Sequence, residues 1–116
     1  MYNPLEDIID QKLDVSDETV RSLISLSKGD LFSGLPGEIP GEKEMLIEHF
    51  QTVIDAIIQG IVANPSKLWV FTIIQAALIE FEGEDTEAKE HFGDHIEMIM
   101  DVLSIESSDG LLGYYL

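Results

Sequence analysis

Apolar residues recur along this chain at spacings of three and four, and the most continuous such stretch, Leu68 to Phe81, is apolar almost all the way round a helix. Leu68, Phe71, Ile74, Leu78 and Phe81 form one stripe with Gln75 beside it, while Trp69, Ile73, Ala76, Ala77 and Ile79 cover most of the rest. A helix with so little polar surface is expected at the centre of the fold, buried on several sides. Val70, Thr72, Ile73 and Ile74 would also suit a strand, but the segment from Gln75 to Leu78 and the length of the run favour helix. At about 14 residues, interrupted by Thr72 and Gln75, the run falls short of the roughly 20 that cross a bilayer.

Residues 42–63 carry Leu46, Phe50, Val53, Ile54, Ile57 and Ile61 on one face, with Ile47, Ile58 and Val62 widening it. Glu42, Glu44, Glu48 and Asp55 occupy what remains, and Gly60 admits a close neighbouring backbone. Asn64, Pro65 and Ser66 stop this helix and cap the next, so residues 43–63 and 67–82 are expected to double back as an antiparallel hairpin. A further helix over 87–103 turns Ala88, Phe92, Ile96, Ile99, Met100 and Leu103 inward, after a turn with Gly83 as stop and Asp85 or Thr86 as cap.

The ends and the middle are less regular. Leu5, Ile8, Ile9 and Leu13 have helical spacing after Pro4, with Asn3 placed to cap, and Thr19 to Lys28 reads as a peripheral amphipathic helix with Gly29 at its end. Ser16 with Thr19 makes half a capping box. From Gly29 to Gly41 glycine and proline exclude regular structure, and Leu31, Phe32, Leu35 and Ile39 are expected either to plug the core or to form a partner-binding edge. Leu111, Leu112, Tyr114, Tyr115 and Leu116 should fold back on the body in a short helical turn beginning near Ser107 or Ser108. The whole chain, residues 1–116, thus reads as one all-α domain, a bundle of four or five helices around a central antiparallel hairpin.

Charge changes the picture more than any motif. The chain has 23 acids against 6 bases and a formal net charge of −17. Such a surface repels nucleic-acid backbones and anionic lipid, and points to a protein partner with a basic surface. Cysteine is absent, which removes disulfides and thiolate metal sites. No signal peptide is visible at the N-terminus, so a cytoplasmic location is expected.

Glu84 to Glu87, Met98 with Asp101, and the run Ile105, Glu106, Ser107, Ser108, Asp109, Gly110, Leu111, Leu112 resemble the C-terminal signature of a family of short bacterial proteins of unknown function. The resemblance covers the last third of the chain and implies no activity.

Few residues have the chemistry of a site. His91 and His95 are one helical turn apart and could share a metal, but Phe92 stands where the helical zinc motif has its glutamate. His49 flanks the core stripe as a hydrogen-bonded boundary residue. No nucleophile elbow, phosphate loop or calcium loop is present, so no catalytic residue, metal ligand or cofactor is assigned. The expected role is non-enzymatic protein binding, with Glu90, Asp94, Glu97 and Asp101 presented on the outer face of the 87–103 helix to a basic partner. An immunity or inhibitor protein that neutralises a toxic enzyme is its concrete form. The alternatives are a metal-binding or acid–base enzyme using His91 and His95, and a homo-oligomer, such as a homodimer, satisfying the wide apolar arcs of the hairpin.

Overall fold

The structure, a computed structural model, describes residues 2–29, 31–32 and 41–116. Among these residues the fold is all-α: a 3₁₀ turn at Pro4–Asp7 is followed by α1 (Asp17–Lys28), α2 (Glu42–Gly60), α3 (Lys67–Glu80), α4 (Thr86–Val102) and α5 (Leu111–Tyr115). None of these helices is long and apolar enough to cross a membrane.

The hub is α2 rather than α3. α2 packs against α1, α3 and α4, whereas α3 has α2 on one side and the two short elements, the 3₁₀ turn and α5, on another. The physical reason lies in where each helix places its bulk. Leu46, Phe50, Val53, Ile54 and Ile57 of α2 and Ile61 at its C-cap are all buried, a wide arc that serves three neighbours. On α3 the stripe of Phe71, Ile74, Leu78 and the capping Phe81 is buried as expected. Val70 and Ala77 are buried with it and Trp69 and Ile73 are half-buried, but Ile79 is 49 % exposed, Leu68 is 37 % exposed, and Ala76 is open to solvent. The expectation of a helix buried on several sides therefore holds for the sides covered by α2 and by the 3₁₀ turn and α5, and the apolar face left over becomes surface.

The hairpin itself forms as expected, with ends at Gly60 and Lys67. Gly60 faces a ring, not a backbone: a β-carbon there would stand 2.5 Å from Trp69 Cζ2. Val62 is exposed and takes no part in widening the α2 arc. α4 turns Ala88, Phe92, Ile96, Ile99, Met100 and Leu103 into the core, as its spacing predicts, and the ring of Phe92 stacks on Phe81 at 4.3 Å. Asp85 is the α4 cap, its carboxylate accepting from the Ala88 amide at 2.8 Å.

Three local expectations change. Residues 5–13 do not form a helix: after the 3₁₀ turn, capped by Asn3, the chain runs extended and makes an isolated antiparallel bridge between Lys12 and Ser66. The amide of Leu13 donates to the Pro65 carbonyl at 2.7 Å and the amide of Lys67 to the Gln11 carbonyl at 2.9 Å, so backbone pairing with the α2–α3 turn outbids the weak helical spacing. Ile9 is left exposed. At α1 the capping box is complete, because Thr19 Oγ1 accepts from the Ser16 amide while Ser16 Oγ accepts from that of Thr19. Gly29 ends α1 at φ −72°, without the left-handed turn that a C′ glycine usually supplies.

Of the 29–41 segment, Leu31 and Phe32 are buried and plug the core; Leu35 and Ile39 lie outside the described residues. α5 starts at Leu111, later than Ser107 or Ser108, since those serines spend their hydroxyls on the turn: Ser107 Oγ accepts from the Asp109 amide and Ser108 Oγ from that of Leu112.

Candidate functional site

Glu90, Asp94, Glu97 and Asp101 fall three and four residues apart along α4, which places them on the side away from Phe92, Ile96 and Met100. All four are exposed, and none takes part in an ion pair among the described residues. Glu90, Asp94 and Glu97 edge a shallow cleft whose other wall is Leu112, Gly113 and Leu116 of the C-terminal segment. Leu116 seats itself there because Gly93 has no side chain; a β-carbon at Gly93 would lie 2.7 Å from the Leu116 Cδ1 atom. Asp101 is on the same face beyond the cleft. The acidity continues around the start of α4, where Asp85, Glu87 and Glu84 raise the Glu42 carboxyl above its ordinary 4.5, after a larger contribution from burial; His91 acts in the opposite sense.

The two histidines of α4 are not equivalent. His95 is enclosed: its ring stacks on Phe32 at 3.7 Å, its Nε2 accepts from the Phe32 amide at 3.1 Å, and its Nδ1 lies 3.0 Å from the His91 carbonyl. A backbone N–H can only donate, so Nε2 must be the acceptor and Nδ1 carries the proton. Both nitrogens are thereby committed, Nε2 to Phe32, which sits at a positive φ of 57°, and Nδ1 to the carbonyl one turn back along α4. His91 is half-buried, with its Nε2 at 3.8 Å from Glu87. A metal on His95 Nε2 would have to displace the Phe32 amide, and no group of three metal-ligating side chains is assembled among the described residues.

A larger opening lies between α2 and α3, with a volume of about 580 Å³. α2 contributes Glu48, His49, Thr52, Val53 and Ala56, and α3 answers with Thr72, Ile73, Ala76, Ala77 and Glu80. The groove exists because small residues face one another on both helices and cannot fill the space between the axes. Thr52 and Thr72 spend their hydroxyls on the Glu48 and Leu68 carbonyls, at 3.0 and 2.8 Å, which leaves the walls with little unmet polarity. One end is polar. His49 Nδ1 is 3.3 Å from Glu80 Oε2, its ring edge-on to Phe81, and Glu48 stands beside it. His49 thus lies at the boundary of the core, half-buried, with Glu80 within ion-pair distance. The groove itself escapes sequence reading, since Ala76, Ala77 and Ile73 have the same spacing as core and His49 and Glu80 are far apart in the chain.

A third polar cluster is structural. Lys67, buried at the start of α3, donates to Asp109 Oδ2 at 2.8 Å, and the same oxygen accepts from the Ile9 amide at 2.9 Å. Lys67 and then the Ile9 amide hold the Asp109 carboxyl below the ordinary aspartate value. Asp10 Oδ1 accepts from the Leu68 amide, Ser66 Oγ and the Gln11 amide, and the first two of these lower its carboxyl most. Ser107, Ser108, Asp109 and Gly110 therefore build a turn that clamps α5 and the N-terminal segment to α3, with Asp109 and Gly110 both at positive φ.

Fold and surfaces together define a small all-α domain whose outer surface carries an acidic stripe, unpaired among the described residues, and an apolar groove. The chain belongs to the family described as Domain of unknown function (DUF4844), which it matches over residues 25–116. No curated protein and no solved structure matches the chain.

Proposed function

We propose that this domain acts by binding another protein through the acidic face of α4, without chemistry of its own. One observation carries the reading. The exposed acids continue down α4 to Asp101, in a last turn that contains no basic residue. A carboxylate there opposes the helix dipole at a cost of about 0.3–1 kcal/mol, and it has no cation of its own chain among the described residues to offset this. Acids that burden the fold and pair with nothing inside it are suited to an external cation. Leu112 and Leu116 add an apolar wall beside Glu90 and Asp94, so the surface combines an anchor with charge, as protein interfaces do.

In its concrete form the partner is a basic enzyme whose site the domain covers, with lysines and arginines of that site meeting Glu90, Asp94, Glu97 and Asp101. Association would be steered electrostatically and slowed by salt. The test is affinity capture with the wild-type domain and with a variant carrying all four acids reversed to lysine. A partner retained by the first and lost by the second, with a helical circular-dichroism spectrum unchanged, is the expected result. Equal retention by both rules the α4 face out.

A further inference from the structure

The groove between α2 and α3 is independent of the α4 face and supports an inference of its own. We propose that it is a docking site for a basic amphipathic helix of a partner protein, laid along the hairpin with its cationic residues at the His49 and Glu80 end. The floor is Val53 and Ala77, both nearly inaccessible, and the walls include Ala56, Ala76 and Ile73. From His49 to Ala56 the groove runs about 10 Å at about 1.5 Å per residue, the length over which a helix presents two or three apolar anchors at spacings of three and four. An open furrow lined by small side chains between two helices accepts the ridge of a third.

Charge selects the occupant. Glu48 and Glu80 close one end of the furrow, and Glu80 is the last residue of α3, so the negative end of that helix dipole lies there too. His49 holds Glu80 in place at 3.3 Å, while 64 % of the Glu80 side chain remains exposed to a ligand. The Ala56 and Thr72 end carries no charged lining residue. A lodged segment must therefore be apolar along its length and positive at one end. A second copy of this chain fits poorly, because it brings a net charge of −17 against the same sign.

The probe is a fluorescein-labelled helical peptide of about 14 residues, roughly four turns, with leucines on one face and lysines concentrated in its N-terminal half. Its controls are a peptide of the same composition with the leucines scattered round the helix, and one with glutamate in place of lysine. Fluorescence anisotropy should show binding of the amphipathic basic peptide alone. Reversal of Glu48 and Glu80 to lysine, or filling of the furrow by Ala76→Trp, should each weaken it by about tenfold or more, which is about 1.4 kcal/mol. Ala76 is exposed, so the bulky variant should keep its fold, and the charge variant reports independently of it. Reversal of Glu90, Asp94, Glu97 and Asp101 should leave the peptide's affinity within about threefold. Failure of the groove and failure of the α4 reading are thereby separable. The proposal is overturned if the scattered peptide binds as well, if the α4 reversal weakens binding as much as the groove variants do, or if no peptide binds. It is equally overturned if sedimentation shows a dimer that Ala76→Trp dissociates, which would make the occupant a second copy.

Discussion

At Gly60 a β-carbon would stand 2.5 Å from Cζ2 and 2.7 Å from Cη2 of Trp69, closer than packed carbons approach. Two effects compete in Gly60→Ala. Helix propensity favours alanine by about 1 kcal/mol, and forcing a methyl into a filled space costs about 1–3 kcal/mol. The crowding wins because the obstacle is a rigid indole, so the variant should lose up to about 2 kcal/mol in a urea melt. In a Trp69→Ala background the sign should invert, since the indole is gone and only the propensity gain remains. Addition of the two single effects without coupling would refute this account. Phe71 tests the same helix from its inner side. It is fully buried, so Phe71→Ala should cost about 3–5 kcal/mol, and more than Trp69→Ala, whose ring is only half-buried.

At the scale of elements, the N-terminal segment, α3 and α5 meet at Lys67 and Asp109. The carboxyls of Asp109 and Asp10 are lowered below 3.8 by the partners they gain on folding. Their contribution to stability is therefore complete above 3.8 and disappears as pH falls through their folded-state values, beneath it. Asp109→Asn leaves the Lys67 ammonium, 7 % exposed, without its counter-charge. Breaking a buried pair from one side costs about 3–5 kcal/mol, and partial exposure places this one near about 3 kcal/mol. Thermal melts should show that deficit at neutral pH and a smaller one below 3.8, where the wild-type carboxylate is itself being lost. A companion Lys67→Met change should recover most of it; no recovery would mean that Asp109 acts mainly through the Ile9 amide.

The same elements mark how far the sequence could be read. α2, α3 and α4 were legible because each repeats apolar residues over several turns between recognisable caps, Ser66 and Asp85 among them. Residues 8–13 were not, because their fate depends on the Pro65 carbonyl and the Lys67 amide, partners more than fifty positions away. Nor could periodicity rank the helices: α3 is the more apolar, yet α2 has the residues that serve three neighbours. The acidic face of α4 follows directly from helical spacing. The groove does not, since an alanine that lines an open furrow and one that packs in a core look alike until the facing helix is placed.

For the molecule as a whole, the dominant force not spent on packing is self-repulsion among 23 acids opposed by 6 bases. Glu42 reports it locally. It lies in the first turn of α2, where the dipole favours a carboxylate, yet burial and the charges of Asp85, Glu87 and Glu84 raise its carboxyl above 4.5. A raised acid favours folding below 4.5 and opposes it progressively as pH climbs through the folded-state value, so its penalty is fully felt at neutral pH. Glu42→Gln should accordingly raise Tm at pH 7 and leave it unchanged at acidic pH where wild-type Glu42 is protonated. Salt acts on the same term from outside. The Debye length shrinks from about 30 Å at 0.01 M to about 8 Å at 0.15 M, so the wild-type Tm should climb over that range. Reversing Glu90, Asp94, Glu97 and Asp101 to lysine removes part of the repulsion at its source and places a cation in the last turn of α4, where the dipole welcomes one. That variant should melt higher than wild type at low salt and respond less to added salt. If instead it melts lower, the four acids stabilise the fold after all, and the argument that they are held there for a partner loses its physical footing.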